Sequence, residues 1–65
     1  MKRYIISWYN NEPNKTGHEI VETDDFNSII DKFVQAIKIP GAKCVSVYLD
    51  AFPKRKEVLE YYDRG

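Results

Sequence analysis

Sixty-five residues suffice for one small domain, and ten Lys/Arg balanced by ten Asp/Glu leave no net charge, which removes the global field that draws proteins to nucleic acid or anionic membranes. A single cysteine, Cys44, and a single histidine, His18, exclude an internal disulfide framework and argue against a zinc fold. A chain of this size buries only about 60% of its unfolded surface, near the lower limit for folding alone, so self-association is an expected second stabiliser.

The first residues, MKRYIISWYNN, combine a basic pair with a short apolar run broken by Ser7. They fit neither a signal peptide nor a membrane span, and a reduced, cytoplasmic setting is the default. Lys2 to Tyr9 is rich in β-branched and aromatic residues and reads as a first strand, with Tyr4, Ile6 and Trp8 on one face and Arg3, Ile5, Ser7 and Tyr9 on the other. Asn10 to Gly17 is dense in turn formers and too polar to bury, so it reads as a hairpin loop. His18 to Thr23 follows as a short second strand whose charges suit an edge position.

Asp25 to Lys38 is the organising helix. Phe26, Ile29, Ile30, Phe33, Val34 and Ile37 recur on one helical face, Asp24 and Asp25 are candidate caps, and Pro40-Gly41 ends the run. Phe33 and Ile30 stand at the centre of that stripe and are its expected anchors. Ala42 to Asp50 alternates cleanly: Lys43, Val45, Val47 and Leu49 point one way, towards the helix, and Cys44, Ser46, Tyr48 and Asp50 the other.

The tail carries conflicting signals. Val58, Leu59, Tyr61 and Tyr62 cluster at helical spacing behind Phe52 and Pro53, yet Lys54, Arg55 and Lys56 would stand at the positive end of that helix and Glu60 and Asp63 near its negative end. A short C-terminal helix is preferred, with a hairpin strand from Lys56 to Asp63 as the alternative. The fold expected over residues 1–65 is therefore a single α+β domain: a small antiparallel ββαβ sheet with one amphipathic helix on one face, closed by that C-terminal element.

Few residues suggest chemistry. His18 lacks an obvious catalytic partner or further metal ligands, Cys44 falls mid-strand where a thiol usually packs as a small hydrophobe, and Glu22, Asp24 and Asp25 lack the spacing of a calcium loop. Neither a catalytic group, a metal site nor a cofactor is assigned, and an enzyme is not expected. Lys54, Arg55 and Lys56 are the candidate anion site, because a phosphate at a helix N-terminus would account for cations in that position.

Nine aromatics in so short a chain lean towards binding. The mixed sheet face with Arg3, Tyr9 and Tyr48 resembles nucleic-acid stacking platforms only loosely, since the ribonucleoprotein motif is missing and the net charge is zero. The function expected is a non-enzymatic protein-interaction module, an inhibitor or regulator of a larger protein that also forms a homodimer. Its candidate contact residues are Ile5, Tyr9, Tyr48, Tyr61 and Tyr62. A small-ligand or nucleotide binder using Lys54, Arg55 and Lys56 is the alternative, and a weak single-stranded nucleic-acid binder comes after it.

Overall fold

The computed structural model describes residues 1–51 and 54–63. In chain order it contains β1 (Lys2–Asn10), a 3-10 turn at Pro13–Lys15, β2 (Gly17–Thr23), α1 (Phe26–Ile37), β3 (Ala42–Leu49) and β4 (Lys56–Tyr62). The four strands form one antiparallel sheet in the order β2-β1-β3-β4. A hairpin joins β1 to β2, and α1 then lies over one face and returns the chain to β3 beside β1.

The topology is thus ββαββ. The expected ββαβ order is completed by a strand where a short helix was preferred, and the hairpin-strand alternative is the observed one. Phe52 and Pro53, expected to lead into that helix, lie outside the described residues.

Local chemistry sets the helix ends. The Asp25 side chain caps α1 by accepting from the Asn27 amide at 3.0 Å and from the Ser28 hydroxyl at 3.3 Å, while the Asp25 amide donates to Thr23 Oγ1. At the other end Gly41 adopts φ +85°, a left-handed conformation that favours glycine and lets the chain turn directly into β3.

The core lies between α1 and the two central strands. Tyr4 and Ile6 of β1, Val45 and Val47 of β3, and Ile29 and Ala36 of α1 are buried, with Trp8, Val21, Phe33, Ile37, Leu49, Val58, Leu59 and Tyr61 packed around them. Tyr4 and Phe26 meet as tilted rings, 5.9 Å between centroids. Val45, Val47 and Leu49 take the helix-facing side as their alternation predicts.

The helix is rotated relative to the expected stripe. Ile29 is fully buried, whereas Ile30 is 37% exposed and Phe26 and Val34 are similarly open; Phe33 is half-buried. The stripe is wider than the strip of sheet beneath it, so the line through Ile29, Phe33 and Ala36 packs down. The flank through Phe26, Ile30 and Val34 is left partly wet. Ile30 is therefore not a core anchor.

Asn10 departs from expectation most. It ends β1 and is 2% exposed, with its Nδ2 donating to the Pro40 carbonyl at 3.0 Å and its Oδ1 accepting from the Glu12 amide at 2.9 Å. Its own amide donates to Thr16 Oγ1, and that hydroxyl donates in turn to the Asn10 carbonyl. One side chain thereby joins the β1–β2 loop to the α1–β3 turn. Among the described residues no buried side-chain nitrogen or oxygen lacks a partner.

Candidate interaction surface

The sheet face opposite α1 is built from the outward half of every strand. Register places its side chains in four rows across the sheet: Glu22, Arg3 and Asp50; Ile20, Ile5, Tyr48 and Glu57; His18, Ser7, Ser46 and Glu60; and Tyr9, Cys44 and Tyr62. No element among the described residues covers this face, and on it Tyr9 and Tyr62 are each 60% exposed and Ile20 48%. A shallow depression of about 330 Å³, lined by Ile5, Ser7, His18, Ile20, Tyr48 and Arg55, marks its centre.

Four of the five expected contact residues therefore share one surface: Ile5, Tyr9, Tyr48 and Tyr62. Tyr61 does not join them, because neighbours on a strand point to opposite faces. It pairs in register with Val45 and packs at the margin of the core.

The basic run is dispersed. Lys56 begins β4 opposite Leu49, on the helix side, while Arg55 turns to the open face with Nε 3.7 Å from Asp50 Oδ1, and Lys54 is exposed. No described helix begins there, so Lys54, Arg55 and Lys56 do not form the helix-terminal anion site expected of them. Asp50 also lies 3.8 Å from Arg3 Nε and donates its amide to the Arg3 carbonyl, which sets one carboxylate between two guanidinium groups at a corner of the open face.

The acidic triad is separated as well. Asp25 caps α1, Glu22 lies on the open face beside Arg3, and Asp24 approaches the N-terminal amine at 3.9 Å. Among the described residues no three His, Cys, Asp or Glu side chains are placed to hold a metal ion. His18 is exposed opposite Ser7, and Cys44 is half-buried with its sulfur 3.8 Å from the Ser46 hydroxyl. No described helix is long and apolar enough to cross a membrane.

The β4 edge of the face carries an electrostatic burden. A side-chain hydrogen bond shared with Glu57, together with desolvation and the charge of Glu57, raises the Glu60 carboxyl above its ordinary range. The charge of Glu60 in turn raises the Tyr62 phenol. A carboxyl whose pKa is higher in the folded chain than in the unfolded one binds its proton more tightly when folded, so the pair weakens the fold above the carboxylate range and ceases to do so as pH falls through it. Glu57→Gln is accordingly expected to melt higher than the unmodified chain at pH 7, with the difference shrinking towards about pH 4, where glutamates take up protons. Circular-dichroism melts at the two pH values check this.

A second depression, of about 340 Å³, lies on the opposite side of the sheet beneath the end of α1. Ile6, Trp8, Ala36 and Ile39 line it, and the Lys32–Glu19 ion pair spans its rim at 3.4 Å. Its floor is continuous with the core. Sequence alternation identified the outward halves of β1 and β3 on the open face, but it missed Ile20, Glu57 and Glu60, which reach that face only through the pairing of the two edge strands. No protein family, curated protein or solved structure matches this chain.

Proposed function

We propose that this chain is a non-enzymatic protein-interaction module, a regulator or inhibitor that acts by binding another polypeptide, and that its contact surface is the open face of the sheet. The observation that carries this reading is the uncovered face itself, with Tyr9, Tyr62 and Ile20 exposed around half-buried Ile5 and Tyr48. Tyrosines on a rigid scaffold supply contact area at little entropic cost and are enriched where proteins meet. A polypeptide suits the shape better than a small molecule does, because the central depression is broad and shallow and the exposed Tyr9 and Tyr62 lie outside it. Charge favours a protein too. Arg3 and Arg55 share the face with Glu22, Asp50, Glu57 and Glu60, so a phosphate backbone would meet more repulsion than attraction.

The test is affinity capture from cell lysate with the intact chain and with the Tyr9→Ala/Tyr62→Ala variant. Both residues are exposed, so the variant is expected to keep its circular-dichroism spectrum while losing the captured protein, with affinity down tenfold or more if the tyrosines are anchors. Undiminished capture by the folded variant would remove the open face as the contact surface.

A further inference from the structure

We propose that the polypeptide covering the open face is a second copy of this chain, seated face to face about a two-fold axis that runs parallel to the strands between β1 and β3. This rests on the open face being the contact surface and adds which partner fills it. Such an axis keeps each cross-strand row opposite itself and exchanges left for right, so β2 of one copy lies over β4 of the other and β1 lies over β3.

The side chains of the rows then complement one another. His18 faces the partner's Glu60 and Ser7 faces the partner's Ser46; Arg3 faces the partner's Asp50, and Ile5 meets the partner's Tyr48. Glu22 comes over the corner that holds the partner's Arg55, and Tyr9 lies over the partner's Cys44. Ile20 opposite the partner's Glu57 is mismatched, at the outer edge where a carboxylate keeps access to water, and Tyr62 overhangs the end of the partner's β2, which has no residue in that row. The other face-to-face axis, running across the strands, stacks β4 on β4 and sets Glu57 and Glu60 against their own counterparts. Like charges brought together in that way cost several kcal/mol in an interface, so the pattern selects one arrangement of the two.

The arrangement also relieves a tension within the monomer. Glu57 and Glu60 crowd each other at the β4 edge, and His18, which the second copy sets against Glu60, stands on β2 at the far edge. Three strand spacings, about 14 Å, separate the two edges. A second copy brings the edges together.

The footprint is small. With about 4.8 Å between strands and about 3.3 Å per residue, the face offers roughly 400 to 450 Å² of floor per copy. That places the pair near or below the lower end of specific interfaces, so a concentration-dependent dimer is expected in preference to a permanent one.

Sedimentation across a micromolar to millimolar range, on the intact chain and on charge variants, tests the arrangement. His18→Glu and Glu60→Lys are each expected to weaken the dimer about three- to tenfold, since two symmetry-related pairs are lost. The His18→Glu/Glu60→Lys double variant is expected to regain most of that loss, because a carboxylate and an ammonium group then face each other across the axis. Within one copy the two positions lie beyond a Debye length of about 10 Å, so coupling of this kind arises between copies. Both substitutions fall on exposed positions, and circular dichroism verifies that the three variants fold.

A chain that stays a monomer throughout overturns the second copy while leaving the open face for a different protein, as the Tyr9→Ala/Tyr62→Ala capture would then show. A dimer that weakens with the tyrosines but shows no recovery in the double variant overturns the axis. A dimer indifferent to the tyrosines but lost in Ile30→Asp lies on the exposed flank of α1 and overturns both this arrangement and the open face as the contact surface.

Discussion

Ile29→Ala is expected to cost about 2 to 5 kcal/mol of stability, and Ile30→Ala less than about 1.5 kcal/mol, although the two residues are neighbours of the same type. Ile29 is fully buried against the central strands, whereas Ile30 keeps 37% of its surface in water. Truncating the first removes a side chain from the core and leaves a cavity that α1 closes only partly. Truncating the second removes contact that was half made. For a domain of 65 residues, whose whole stability is on the order of 5 kcal/mol, the first change approaches unfolding. Urea denaturation of both variants checks the pair, and equal losses would mean that the helix packs with the Phe26, Ile30 and Val34 flank downward.

Asn10→Leu is expected to cost about 2 to 4 kcal/mol, an effect as large as a core cavity from a residue of turn-forming type. Leucine keeps the branching and heavy-atom count of asparagine, so no cavity is left and the loss is chiefly one of hydrogen bonds. It leaves the Pro40 carbonyl and the Glu12 amide without the partners they have at 3.0 and 2.9 Å, facing an apolar side chain at a position only 2% exposed. Gly41→Ala strikes the same junction from the other side. A Cβ there would come within 2.9 Å of Asn10 Oδ1 on a residue already at φ +85°, combining a close contact with a strained backbone for a further loss of about 1 to 3 kcal/mol. Because both substitutions disturb one network, the double variant is expected to lose less than the sum of the singles. Thermal melts of the two singles and the double measure this, and strictly additive losses would separate the two sites.

Much of the framework was legible because its signals are local. The 3.6-residue period of α1, the cap at Asp25, the stop at Gly41 and the two-residue alternation of β1 and β3 each arise from contacts within a few positions along the chain. From these followed the helix-facing side of the sheet and, by difference, the outward side with Ile5, Tyr9 and Tyr48.

What local patterns could not determine was decided by pairing across the fold. Residues 56–62 carry apolar side chains at helical spacing, but β3 offers an unpaired edge, and its register with β4 shifts between Val47 and Tyr48. Opposite that shift, Glu57 pairs with Tyr48 and Leu59 with Val47, so Val58 has no counterpart. One extra residue of this kind interrupts strand alternation and makes it look helical. The same pairing separated Tyr61 from Tyr62 and carried Glu57, Glu60 and Tyr62 to the open face.

Asn10 reads as a loop residue because its one nearby side-chain contact, from the Glu12 amide, is a turn contact; its long-range use comes from Pro40, thirty positions on. The burial of Ile29 over Ile30 likewise depended on how much sheet lies beneath α1. Periodicity gives the direction of an apolar face, and the tertiary contact gives its width, because only the packed partner fixes where water is excluded.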